Sequence, residues 1–207
     1  MGLLKKFFSN AAKPKGLVGK FVVGIMNRGH APIAAWGFSH LALRGDEDVL
    51  DCGCGGGANI ARFLRALPRG HATGLDYSKV SVEKSRELNA AAIAAGRCEV
   101  VQCALPEMPF GDERFDVVTA FETVYFWPDI EDCFRAVLRV LKPGGVFMIT
   151  NEAGKKTEKS LKWTKIVDGM MIYTAEELED LLTRAGFAHV ETDGSVKDDR
   201  LNVRAYK

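Results

Sequence analysis

The chain has no paired cysteines, no long apolar run and no excess of charge of one sign. Its 207 residues include only five cysteines, an odd set without CxxC spacing. A disulfide framework and a zinc ribbon are both unsupported, and free thiols are the plain reading. No stretch approaches the roughly 20 apolar residues of a transmembrane helix. The best candidate for a leader, residues 16–26, is interrupted by Lys20 and lies too far into the chain. Met1-Gly2 lacks the hydroxyl residue that a myristoylation signal places four positions after the glycine. A cytoplasmic protein is therefore expected. Lysine plus arginine total 28 against 27 acidic residues, which removes the usual electrostatic case for a nucleic-acid partner, and no nucleic-acid motif is present.

The charges are unevenly placed. Residues 1–45 carry Lys5, Lys6, Lys13, Lys15, Lys20, Arg28 and Arg44 and no acid. Within them Leu17, Val18, Phe21, Val22, Ile25 and Met26 recur at helical spacing, which predicts a basic amphipathic helix. Such a helix packs on its own domain or meets a membrane surface or a nucleic acid, so a peripheral membrane contact is one expectation.

With 47% apolar residues the chain can build one globular core. Short apolar runs end in Asp51 and Asp76, and residues 58–67 between them show helical spacing stopped by Pro68. Ser78 opens a long alanine-rich helix reaching about Ala95, and residues 98–103 read as a third strand. A strand at 115–120, a helix at 130–141 and a strand at 146–150, following the turn Lys142-Pro143-Gly144-Gly145, continue the alternation. Residues 152–165 read as a charged connector. Thr174 and Glu177 form a capping box for a helix ending at Gly186. Two last segments, 188–192 and 201–206, flank Asp193-Gly194-Ser195 and predict a hairpin. The pattern is an α/β fold with a doubly wound, mostly parallel seven-stranded sheet.

The segment Leu50-Asp51-Cys52-Gly53-Cys54-Gly55-Gly56-Gly57 sets glycines where a strand turns into a helix, so that a ligand can approach the backbone and the helix N-terminus. Asp76 follows near the roughly 20-residue offset at which an acid meets ribose hydroxyls. Asp51 would repel a diphosphate and favours a ligand with a positive group. This segment, Asp76, and Val140-Leu141-Lys142-Pro143-Gly144-Gly145 together resemble the class I S-adenosylmethionine (SAM)-dependent methyltransferases, over about residues 49–207.

The resemblance implies a SAM-binding methyltransferase domain at 46–207; no strand of that domain supplies a cover, so the amphipathic N-terminal region, 1–45, is expected to form a helical lid. The resemblance also implies that Asp51, through water, and the backbone of Gly53, Cys54 and Gly55 hold the methionine end. Asp76 would bind the ribose hydroxyls and Tyr77 would lie against the adenine. Where the family often has Gly-Asp-Ala before Leu-Pro-Phe, this chain has Cys103-Ala104-Leu105 before Met108-Pro109-Phe110, leaving adenine to the backbone of Ala104 and Leu105.

Strand ends border the crevice of such a fold, which brings Phe121 and Glu122 to the cofactor. Glu122 would pair with its ammonium or remove an acceptor proton. Tyr125 is expected in the site and Trp127 as a wall, with Phe126 and Pro128 left to packing and helix initiation. His30 and His40 are the bases that a lid could contribute, and the connector around 163–173 is expected to close the other side. No metal is required. The expected partner is a small-molecule acceptor, and no motif sets an oligomeric state. The competing readings are an NAD(P)-dependent oxidoreductase and a non-catalytic SAM-binding or membrane-associated module.

Overall fold

The structure, a computed structural model, describes residues 29–194 and 198–207. The amphipathic segment 17–26 and Ser195 of the hairpin turn lie outside the described residues. In chain order the elements are α1 (Ala31–Phe38), β1 (Asp48–Cys52), α2 (Ala58–Ala66), β2 (His71–Asp76), α3 (Lys79–Leu88), α4 (Ala90–Ala94), β3 (Cys98–Gln102) and β4 (Phe115–Phe121). A 3₁₀ turn (Val124–Phe126) follows, then α5 (Ile130–Val140), β5 (Leu141–Asn151), α6 (Glu158–Ile166), α7 (Ala175–Ala185), β6 (His189–Gly194) and β7 (Leu201–Tyr206).

The seven strands form one sheet in the order β3-β2-β1-β4-β5-β7-β6. β1 to β5 pair in parallel, and β7 runs antiparallel to both β5 and β6, which gives the expected C-terminal hairpin. Successive strand residues enter opposite cores. Leu50, Val118 and Phe147 join α5 and α7 on one face, while Val49, Val117 and Met148 join α1, α2 and α3 on the other. Burial on both faces is why these strands read as apolar runs without polar alternation. The chain winds outward from β1 to β3, then restarts at β4 on the other side of β1. This reversal opens a crevice beyond the carboxyl ends of β1 and β4.

Three predicted elements differ. The long helix breaks at Asn89, a buried side chain whose Nδ2 donates to the Gly57 carbonyl at 3.2 Å and so ties the break to the glycine loop. Residues 142–145 lie within β5, which absorbs them through a register shift against Phe115 and Val117. The charged connector contains α6, opened by a capping box between Thr157 and Ser160. The second capping box, Thr174 with Glu177, forms as predicted, and Gly186 ends α7 at φ 106°.

α1 crosses the sheet close to β5. A Cβ on Gly37 would lie 2.6 Å from Thr150 Oγ1 and 2.7 Å from Phe121 Cε1, so only glycine permits this approach. The C-terminal end of α1 is tied to the hairpin by His40 and by Arg200, whose guanidinium lies 5.1 Å from the centre of the Trp36 ring. Among the described residues, no helix is long and apolar enough to cross a membrane.

Candidate active site

The turn after β1 is built from backbone. Gly53 and Cys54 donate their N–H groups to the Leu75 carbonyl at 2.7 and 3.0 Å, drawing the loop onto β2. Gly53 sits at φ 75°, and a Cβ there would lie 2.4 Å from Thr123 Oγ1, so both conformation and space demand glycine. Gly55 donates to Asp76 Oδ2 at 2.9 Å and Ser78 to Asp76 Oδ1 at 2.8 Å. The Asp76 carboxylate is thus fixed at the lip of the crevice. Burial raises its pKa, and these two N–H donors oppose the rise.

Asp51 is 2% exposed and accepts a bond from Thr119 Oγ1 at 2.8 Å. Burial lifts its pKa to about 7, against the Thr119 bond and with some repulsion from Asp76. It lies behind the loop and does not line the cavity, consistent with action through the backbone or a water. A cavity of about 420 Å³ occupies the crevice, lined by Gly53, Cys54, Gly55, Asp76, Tyr77, Ala104, Leu105, Phe121 and Glu122. All the sequence-derived cofactor positions except Asp51 therefore share one wall system.

The exit of β4 divides differently from the sequence reading. Glu122 takes a left-handed backbone, φ 59°, uncommon for a residue with a side chain and a frequent mark of functional sites. Its Oε1 accepts the Tyr125 hydroxyl at 3.2 Å and a short bond from the Glu152 N–H. Burial raises the carboxyl to about 8, opposed by the Glu152 N–H and reinforced by the Glu152 charge. Tyr125 is 2% exposed and positions Glu122 from behind, its hydroxyl also accepting the Ala153 N–H at 3.0 Å. Phe126, expected to pack, faces the cavity instead. The 3₁₀ turn after the left-handed Glu122 exchanges the two rings. Trp127 lines the cavity while its Nε1 donates to Thr123 Oγ1 at 2.7 Å and its ring stacks on Phe147.

His30, at the N-cap of α1, also lines the cavity. Burial lowers its pKa, favouring the neutral imidazole, while Glu152 acts against this. The ring nitrogens of His30 and the carboxylate oxygens of Glu122 and Glu152 include one atom each lying within 4.8 Å of the others. His40 is elsewhere, its ring bridging the Trp36 carbonyl at 2.8 Å and Asp193 at 2.9 Å. The connector 163–173 does not reach the cavity; Met171 N–H instead bonds the Tyr125 carbonyl at 2.9 Å and braces the 3₁₀ turn. Sequence reasoning missed Arg62 and Asn59, one helical turn apart on α2 and facing the cavity. Both Arg62 Nη atoms lie 3.3 Å from the Ala31 carbonyl, so α1 holds this guanidinium in place.

Asp51, Asp76 and Glu122 gather here without an ion pair to any described lysine or arginine, and burial raises all three carboxyl pKa values. A site so provisioned fits a ligand that brings positive charge and a diol. S-Adenosylmethionine has a sulfonium, an ammonium and a ribose, and the residues fit it. The fold and crevice are those of a Rossmann-like class I methyltransferase.

Comparison with known proteins agrees. Residues 50–149 match the family described as Methyltransferase domain. Cycloartenol-C-24-methyltransferase 1 of Oryza sativa subsp. japonica is 37% identical over 112 residues, 53% of this chain but 31% of that protein. An O-methyltransferase of Penicillium expansum is 28% identical over 162 residues, 76% of this chain and 56% of its own. The matched stretch thus spans about a third of the sterol relative's length. Among solved structures, a chain of the complex between the Haloferax volcanii Trm112 methyltransferase activator and a methyltransferase superposes with a TM-score of 0.79, at 19% identity, covering 99% of this chain and 97% of that one. A SAM-dependent methyltransferase from Aquifex aeolicus gives 0.74 at 16% identity, covering 90% and 97%. Residues 50–149, just under half of the chain, carry a methyltransferase domain, and the described fold is that of the class I SAM-dependent methyltransferases.

Proposed function

We propose that this chain transfers a methyl group from S-adenosylmethionine to a small-molecule acceptor held beneath α1. The observation that carries the reading is the crevice at the β1/β4 reversal, where the glycine loop, Asp76 and Glu122 face one cavity and neither carboxylate is ion-paired with a described lysine or arginine. Bound there, the cofactor supplies an electrophilic methyl on a sulfonium. Asp76 holds the ribose hydroxyls, Tyr77 and the backbone of Ala104 and Leu105 take the adenine, and Gly53 to Gly55 with Phe121 take the methionine end. Asp51 acts behind the loop. The protein's part in an in-line displacement is alignment and exclusion of water, and α1, through His30, Ile33 and Ala34, forms the roof that does this. On this reading α1 belongs to an N-terminal lid and residues 46–207 form the cofactor-binding domain.

The same fold also hosts other chemistry, since the [4+2]-cyclase SpnF superposes with a TM-score of 0.71 at 19% sequence identity, covering 84% of this chain and 79% of that one. The test is therefore catalytic. The full chain is incubated with SAM and a broad acceptor panel, and S-adenosylhomocysteine is measured. Acceptor-dependent product supports the transferase; SAM binding without product from any acceptor favours the non-catalytic module.

A further inference from the structure

His30 caps α1, Glu122 follows β4 and Glu152 follows β5, three positions remote in sequence; His30 and Glu122 line the cavity, and Glu152, exposed and outside its lining, brings a carboxylate oxygen within 4.8 Å of a polar atom of each. The two carboxylates have no ion pair with a described lysine or arginine. Tyr125 and the Glu152 N–H both occupy Glu122 Oε1, which leaves Oε2 for a ligand. Phe126 and Trp127 line the same cavity. Glu122 in the wall of the cavity, the Glu152 carboxylate beside it and aromatic faces in the same cavity are the elements that bind organic cations.

We propose that His30, Glu122 and Glu152 form a receptor for the ammonium group of an amine acceptor, with Phe126 and Trp127 as its aromatic walls. This deepens the transferase reading above and rests on it. An ammonium nitrogen that donates at about 2.9 Å along tetrahedral directions holds its acceptors about 4.7 Å apart, inside the limit observed here. A divalent ion is the competing occupant, but it makes no use of aromatic walls. The ammonium has no free lone pair, so it must lose a proton before it reacts. A neutral His30 accepts that proton and becomes imidazolium beside Glu152. The freed nitrogen pair then forms the C–N bond as the C–S bond breaks, its electrons remaining on sulfur, and the methylated ammonium is released after the proton balance is restored to solvent.

The test uses the full chain saturated with S-adenosylhomocysteine and titrated by calorimetry with benzylammonium chloride and, separately, benzyl alcohol. Benzylammonium is expected to bind at least tenfold more tightly than the alcohol, and Glu152→Gln to weaken it roughly ten- to hundredfold by removing a charge-assisted bond with S-adenosylhomocysteine affinity unchanged. With SAM, primary and secondary amines should yield S-adenosylhomocysteine where matched alcohols and thiols do not, and His30→Gln should lower kcat more than it raises KM. Equal binding of amine and alcohol, an unaffected Glu152→Gln variant, or turnover that appears only on adding Mn²⁺ or Zn²⁺ would overturn the proposal. Failure to bind S-adenosylhomocysteine at all would instead sink the transferase reading beneath it.

Discussion

Replacing Gly37, which does not itself line the cavity, by alanine tests the seating of α1. Helix propensity alone favours the change by roughly 1 kcal/mol. Packing opposes it, because the new methyl would lie 2.6 Å from Thr150 Oγ1, 2.7 Å from Phe121 Cε1 and 2.9 Å from Thr150 Cγ2. Neither neighbour is free to yield. Thr150 is fully buried and its Oγ1 is held by Asn202 Nδ2 at 2.9 Å, while Phe121 stacks on Phe38 with centroids 5.5 Å apart. Restoring ordinary contact near 3.4 Å requires α1 to retreat by about 0.8 Å, the difference between 3.4 and 2.6 Å. Overpacking of this kind costs about 1–3 kcal/mol, so the propensity gain offsets only part, and a net loss of about 1–2 kcal/mol should lower the melting temperature by about 2–8 °C. The retreat also displaces His30, Ile33 and Ala34. Because a misplacement near 1 Å can cost on the order of a hundredfold in rate, kcat/KM should fall at least tenfold. Differential scanning calorimetry and steady-state kinetics read the two effects. A variant that melts and turns over like the parent would refute the close packing of α1 and its role as the roof.

Asp76→Ala should weaken SAM binding roughly a hundredfold, through lost hydrogen bonds to the ribose and lost anchoring of Gly55; calorimetry giving an affinity within threefold of the parent would count against the ribose assignment. The ligand-free protein should lose stability as pH rises from about 5 to about 8, since Glu122 holds its proton in the folded state up to about 8 but releases it near its ordinary value when unfolded. The Glu122→Gln variant should show a shallower slope of melting temperature over that range, and an unchanged slope would place the titration elsewhere. His40→Ala should cost about 1 kcal/mol of stability by breaking the bridge to Asp193, yet alter acceptor kinetics far less than His30→Ala; equal kinetic losses would return His40 to the site.

The cofactor half of the site was legible because its signals are local. Glycines between a strand and a helix, with an acid at the next strand end, keep their meaning whatever surrounds them, and Asp76 and Gly53 to Gly55 stand where that pattern places them. The capping box at Thr174 is equally self-contained. The misreadings depend on distant partners or on one dihedral. Asn89 breaks a helix because it bonds Gly57, 32 residues away. Arg62 enters the cavity wall through the docking of α1, 31 residues before it. α6 was hidden because its capping box closes with Ser160 in place of the usual glutamate or glutamine. Tyr125 and Phe126 exchange places because Glu122 adopts φ 59°, a conformation that residue type alone does not announce.

Isothermal titration of the full chain with SAM, and separately with NADH, distinguishes a methyltransferase site from a dinucleotide site. One-to-one SAM binding, carried by Asp76 and the loop from Gly53 to Gly55, is expected, with no binding of NADH. Binding of NADH without binding of SAM would contradict the methyltransferase site.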